Sequence, residues 1–263
     1  GRQINCQCFQ LSFVINLEVS NIAYRIAHIA PTSFFGDYGC HVRILEEIRA
    51  LATLGHTSTV FTYPTGDNVR GITIRRNPLQ RHHPEIRVGS HWGKLPLDAA
   101  LLGTTLAYGL KDNFDIVHAH LHEGALIGRL LAWQQRAPLI FDFQGSLVAE
   151  MQDHGFLLSR SVLSYLLDKA ERVINRLPNR IITSSRHARN LLATEFGVPA
   201  SRVVEICDCV DTNMFRPRTH MPDLALNSLR TKWGIPPDHL VIGYLGLLAE
   251  YQGIPKLLAA AKL

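Results

Sequence analysis

The residues best suited to chemistry gather in four short stretches, each directly after an apolar run. The first is Pro31–His41, PTSFFGDYGCH, where Gly36 and Gly39 permit tight turns around Asp37 and Tyr38. A helix opening just beyond them would aim backbone N–H groups at an anion; a plain turn accounts for the glycines equally well. The spacing is not G-x-G-x-x-G, and no acidic residue ends the following strand, which argues against a dinucleotide enzyme. The second stretch is His118-Ala-His120-Leu-His122-Glu123-Gly124. Alternate strand residues share a face, so His118, His120 and, if the strand continues, His122 point the same way. Such a set could ligate a metal, bind a hydroxyl-rich ligand, or simply end a strand in polar residues.

The third stretch is Asp142-Phe-Gln144-Gly145-Ser146, followed by Glu150, Asp153 and His154. A carboxylate, an amide and a hydroxyl at one strand end suit sugar hydroxyls or local capping. Asp142, Asp153 and His154 are the residues available as a third metal ligand beside His118 and His120. The fourth is Thr183-Ser184-Ser185-Arg186, where one serine is a natural helix N-cap and Arg186 could reach a phosphate.

Positioning these groups requires strands that end where the clusters begin. Tyr24–Ala30, Thr57–Tyr63, Ile72–Arg75, Phe114–Ala119, Pro138–Phe143, Arg180–Thr183 and Arg202–Ile206 read as short buried strands. Between them, helical spacing runs from Val42 to Gly55 and over Pro96–Leu110, Ala125–Gln135, Ser159–Arg176 and Arg186–Phe196. Strands alternating with helices predict an α/β fold with a Rossmann-like, doubly wound parallel sheet. In such sheets ligands bind outside the carboxyl ends of the strands. Leu226–Trp233 reads as a short helix, Leu240–Leu245 as a new buried strand, Gly246–Gly253 as a turn and Ile254–Leu263 as a helix. The expected organisation is an irregular extension over 1–22, a Rossmann-like domain over 23–217, a linker over 218–239, and the first strand–helix unit of a truncated second domain over 240–263.

Composition narrows the function classes. The chain has 263 residues, 46% of them hydrophobic, a net charge of +5 and a pI near 9.1. No apolar run reaches the length of a membrane span. The positive charge is densest over Arg70–Lys94, without a basic tail or aromatic-basic repeats. Anionic small molecules or an acidic membrane face are therefore better partners than nucleic acid. Five cysteines (Cys6, Cys8, Cys40, Cys207 and Cys209) are too few and too oddly spaced for a disulfide framework and lack C-x-x-C spacing. They read as reduced thiols of a cytoplasmic protein.

Five motifs in order resemble the N-terminal half of a family-4 glycosyltransferase of GT-B fold. They are the glycine-rich turn with Leu54-Gly55-His56 after its helix, Asp115-Ile-Val-His-Ala-His120, Ile182-Thr-Ser-Ser185, Cys209-Val-Asp211-Thr-Asn-Met-Phe215-Arg-Pro217, and Gly243-Tyr-Leu-Gly246 with Gly253. The resemblance implies two Rossmann-like domains, an acceptor-side one and a donor-side one, and retaining hexosyl transfer from a nucleotide-sugar with no metal and no further cofactor. It implies that Gly36–Gly39 approach the donor and that His120 sits by the transferred sugar as the catalytic residue. Gly36, Asp37, Tyr38, Gly39, His118, His122, Glu123, Gln144, Gly145, Ser185 and Arg186 would contact substrate, with Gly246 and Gln252 on the donor side.

The chain departs from the family pattern at several positions. Leu247 and Gln252 replace the two cations that usually neutralise the diphosphate, Asp208 and Cys209 replace Asn-Gly, and Gln144 stands where many members have His. Two other functions are kept open: a non-catalytic sugar- or membrane-binding module, and a metal hydrolase on His118, His120 and Asp142. The acceptor is unidentified, and a peripheral position at the inner face of an anionic membrane remains an option. The chain alone is expected to be inactive.

Overall fold

The computed structural model describes residues 22–36, 38–77, 92–153, 155–158, 161–212, 214–217, 223–236, 238–246, 248 and 252–261. The chain divides into two compact units, Gly1–Cys209 and Val210–Leu263.

The first unit is one seven-stranded parallel sheet. Its strands are β1 (Arg25–Ala30), β2 (Thr57–Thr62), β3 (Thr73–Arg76), β4 (Ile116–His120), β5 (Leu139–Phe143), β6 (Arg180–Thr183) and β7 (Val203–Glu205). They lie in the order β3-β2-β1-β4-β5-β6-β7. The order reverses between β1 and β4, which places the switch point of the doubly wound fold between their carboxyl ends. Helices α1 (Gly39–Thr53), α2 (Leu95–Gly109), α3 (Leu121–Gln135), α4 (Leu147–Asp153), α5 (Val162–Ile174) and α6 (Arg186–Thr194) connect them. The expected α/β Rossmann-like class is therefore observed. Helix α4 is an addition, since its seven residues are too few to show a helical period.

The sheet separates two unlike faces because strand side chains alternate. Ala27, Ile29, Phe61, Val117, Ala119, Leu139, Phe141 and Phe143 form the main core with residues of α2, α3 and α6. Helix α1 packs Ile44, Leu45 and Ile48 against Ala30, Phe34 and Val60 in a smaller cluster. In register, His28 stands opposite His118 and His120 opposite Asp142. Polar side chains have replaced hydrocarbon on the β1–β4–β5 part of that face.

Close helix–strand contact depends on two glycines of α3. A Cβ at Gly124 would lie 2.8 Å from the Ile29 carbonyl oxygen, and one at Gly128 would lie 3.1 Å from Leu139 Cδ1. Helix α3 therefore presses directly on the strands that end at the switch point.

The second unit contains α7 (Asp223–Lys232) and α8 (Ile254–Ala260). The strand expected over Leu240–Leu245 is not formed: Leu240 is 87% and Leu245 100% exposed. A strand needs a neighbour for its backbone groups, and none pairs with it among the described residues. Residues 1–21 of the expected extension over 1–22, and most of the basic stretch, 78–91, lie outside the described residues.

Candidate functional site

A network of buried polar side chains occupies the α1 face of the sheet at the switch point. Asp142, fully buried on β5, is its centre. Arg43 of α1 grips it, with Nε donating to both carboxylate oxygens at 3.0 Å and Nη2 to Oδ1 at 2.8 Å. The same guanidinium pairs with Glu47 at 3.1 Å and with Asp208. Gln144 donates Nε2 to Asp142 Oδ2 at 2.9 Å. Burial alone would raise the Asp142 carboxyl, but hydrogen bonds and charge from His120 and Arg43 hold it below the usual carboxylate range.

The three strand histidines continue this network. His120 Nδ1 lies 3.3 Å from Asp142 Oδ2, His120 Nε2 lies 3.2 Å from His28 Nδ1, and His28 Nε2 lies 3.2 Å from Ser58 Oγ. An ionised Asp142 can only accept. His120 Nδ1–H therefore donates to Asp142, and with one proton on each ring His28 Nδ1–H donates to His120 and the Ser58 hydroxyl to His28. His118 packs beside both, with ring centroids 5.1 Å from His28 and 4.4 Å from His120. Burial, together with the neighbouring imidazoles, lowers His28 well below the ordinary value and lowers His118 to about 3. Burial pushes Glu47 up to about 7.

His41, in the first turn of α1, organises the glycine-rich loop. Its Nε2 lies 2.6 Å from Thr32 Oγ1, and the Gly36 amide donates to its Nδ1 at 3.0 Å. The Gly36 carbonyl accepts from the Tyr38 amide at 2.8 Å, and Gly39 opens the helix. The Tyr38 side chain does not cap α1, and no acidic residue lies in the first turn. Asp37 lies outside the described residues. Cys40, beside His41, is held protonated by burial, its thiol pushed up to about 11.

A second polar cluster pins the β5–α4 turn. Glu171 of α5, buried, accepts from Ser146 Oγ at 3.0 Å and from the Leu147 and Val148 amides at 3.0 and 3.1 Å. Burial would raise its carboxyl, but His122 and these donors outweigh that and lower it.

Several sequence-predicted positions separate in space. His118 and His120 do share a face, but His122 does not join them. The strand ends at His120, Leu121 takes φ 61°, and the chain turns into α3. His122 instead packs on the edges of Phe141 and Phe143, 3.3 Å from Glu171 Oε1. Glu123 follows in the first turn of α3. Gly145 is open, with nothing within 4 Å of an added Cβ. Ser185 caps α6, accepting from the Ala188 amide at 3.2 Å, and Arg186 beside it is exposed. Asp153 is exposed at the end of α4, His154 lies outside the described residues, and the third ring beside His118 and His120 is His28. His120, assigned a sugar contact by resemblance, is fully buried with both ring nitrogens engaged. Gly246, with φ 152°, and an exposed Gln252 belong to the second unit; Leu247 lies outside the described residues.

Sequence reasoning missed His28, His41, Arg43 and Glu47. His28 lies within an apolar strand and pointed to nothing alone. Arg43 and Glu47 are four apart on one helix face, a pair usually read as a solvated ion pair. Lys94, buried at the start of α2 with Asp98 and Tyr63 nearby, was also missed; Tyr63 donates its hydroxyl to Asp98 at 2.6 Å.

Comparison with known proteins identifies the setting of this network. Residues 38–208 match the profile of the Glycosyl transferase 4-like domain. The D-inositol 3-phosphate glycosyltransferase of Thermomonospora curvata is 20% identical over 258 residues, which cover 95% of this chain and 59% of that protein. Sucrose-phosphate synthase from Thermosynechococcus elongatus superposes with a TM-score of 0.68 at 18% identity, covering 90% of this chain and 59% of that one. Anabaena Alr3699/HepE in complex with UDP-glucose superposes with a TM-score of 0.59 at 15% identity, covering 90% and 57%. The chain thus spans under two thirds of the length of these relatives. The profile covers well over half of the chain, from the glycine-rich turn to Asp208, and the chain belongs to the glycosyl transferase 4-like family.

Proposed function

We propose that this chain supplies the acceptor-side domain, and the opening of the donor-side domain, of a retaining glycosyltransferase that takes its sugar from a nucleotide-sugar. The observation that carries the reading is the position of the polar network. It lies at the strand-order reversal, where open parallel sheets bind ligands, and all of its members except His28 of β1 fall inside the region matched by the family profile. The UDP-glucose held by HepE supports a nucleotide-sugar as the donor class.

In this reading the loop held by His41 presents the Gly36–Gly39 backbone and the α1 N-terminus to phosphate or sugar oxygens. Gln144 and Gly145, at the open end of β5, face the acceptor. His120 acts as a positioning residue: it holds Asp142, which in turn holds Arg43 and Gln144. Departure of the diphosphate needs positive charge. With Leu247 and Gln252 in place of the usual cations, exposed Arg186 is assigned that task. The transfer step uses no metal, and the acceptor is a hydroxyl compound whose class is open. No helix among the described residues is long and apolar enough to cross a membrane. Peripheral contact with an anionic membrane remains part of the proposal.

The test is sugar transfer by the protein carried through whatever follows residue 263 in its reading frame. UDP-, GDP- and ADP-sugars are offered with inositol phosphates, sugar phosphates and anionic lipids, and products are read by mass and anomeric configuration. Transfer with retained configuration is expected. Tight nucleotide-sugar binding without transfer to any acceptor would instead favour a non-catalytic binding module, the reading that Leu247 and Gln252 recommend.

A further inference from the structure

We propose that His28, His118 and His120 form a binding site for one divalent transition-metal ion, of which zinc is the type. The inference is independent of the glycosyltransferase reading. It concerns the ion that the α1 face of the sheet would hold, and it makes no use of that ion in sugar transfer.

Geometry is the first argument. One ring nitrogen from each histidine can be chosen so that all three lie within 4.8 Å of one another, and all three residues are buried. The His28 Nδ1 and His120 Nε2 atoms are 3.2 Å apart. Two nitrogens bound tetrahedrally to one zinc at roughly 2.05 Å stand about 3.3 Å apart. The pair therefore already has the spacing of two ligands of one ion. The three residues come from rigid strands in fixed register, His28 directly opposite His118, so the set is held by the sheet rather than by a loop.

The surroundings are the second argument. A metal-bound imidazole keeps its orientation by donating its other N–H to an oxygen. His120 has Asp142 Oδ2 at its distal nitrogen, and His28 has Ser58 Oγ. Binding would shift the His28 proton from Nδ1 to Nε2, where Ser58 can accept it, so neither of these two imidazoles needs a new partner. His118 Nε2 and Glu47 Oε2, 3.8 Å apart, are both buried with no hydrogen-bond partner among the described residues. That separation is too long for a hydrogen bond. An ion bound through His118 Nε2 would give that atom a partner and bring positive charge toward the Glu47 carboxylate.

Charge is the third argument. Arg43 is the cation the network pairs with three carboxylates, Glu47, Asp142 and Asp208. On formal charges, two carboxylates are left uncompensated. A dication restores the balance. Imidazole nitrogens with a carboxylate nearby suit zinc better than the harder magnesium or calcium ions, which prefer oxygen.

The experiment uses the purified chain, stripped with a chelator, dialysed, and titrated with zinc against a chromophoric competitor. One tightly held zinc per chain is expected. His28→Gln and His118→Gln should each weaken binding by more than the ~100-fold upper range for losing an outer partner; His187→Gln, at an exposed histidine, should leave it unchanged. If a variant fails to fold, zinc-edge X-ray absorption of the wild type decides, because it reads ligands directly. Nitrogen ligands with imidazole scattering support the site. Absence of bound zinc in the wild type overturns the proposal. So does sulfur in the coordination shell, which would point to Cys40, Cys207 or Cys209, and so does full retention of zinc by a folded His118→Gln variant.

Discussion

Arg43 carries more of the buried electrostatics than its place in the sequence suggests. Its side chain is 9% exposed and Asp142 is fully buried, so removing the guanidinium strands a carboxylate in the interior. Arg43→Met should cost about 3–5 kcal/mol in chemical denaturation. Adding Asp142→Asn should recover part of that loss, because the stranded charge goes with it. Equal or greater destabilisation in the double variant would mean that shape, not charge, sets the cost.

Asp98 offers a pH test at the same scale. Burial, with Glu123 nearby, raises its carboxyl to about 6 even though Tyr63 donates to it. An acid that holds its proton more tightly when folded adds stability below its unfolded value, and that contribution is lost as pH rises through about 6. Asp98→Asn keeps an acceptor for Tyr63 but cannot ionise. Its urea midpoint relative to wild type should rise between about pH 4.5 and about pH 7.5; a constant difference would contradict the assignment. The residues of this scale were only partly legible in the sequence. The His-x-His strand end and Asp142 were visible because they close apolar runs. His28, Arg43 and Glu47 were not, because joining them needs the β1–β4 register and the seating of α1.

At the scale of elements, α3 is set by its glycines. Gly124→Ala places a methyl against the fixed Ile29 carbonyl and Pro31 ring, so it should destabilise by about 1–3 kcal/mol. Gly103→Ala, on the exposed face of α2 with nothing within 4 Å, should stabilise by about 0.5–1 kcal/mol. Thermal midpoints moving the same way in both would refute the packing argument. The parallel strands and longer helices follow from periodicity, since burial on both faces leaves apolar runs with turn residues between them. Two features escaped. Helix α4 is held by Glu171 near the far end of the next helix, 23 residues beyond Val148, a contact with no local signal. Leu240–Leu245 has the β-rich composition of a strand, yet composition supplies no partner. His122 shows the same limit: alternation is a strand property and fails at the residue where the strand stops.

At the scale of the molecule, the strand order brings distant segments to one place. Residues 28, 43, 118, 142 and 208 meet only because the strand order reverses between β1 and β4. The family match covers that assembly from residue 43 to residue 208 but not His28, while the chain spans about 59% of its curated relative. The central claim is that sugar transfer depends on this buried network. It is tested most directly by comparing transfer in wild type and His120→Ala, in the protein extended through its reading frame, with thermal midpoints and the kcat–KM split measured alongside. A folded variant whose kcat falls by about 100-fold or more, with partial rescue in His120→Gln, is the predicted result. Unchanged turnover in His120→Ala would contradict it.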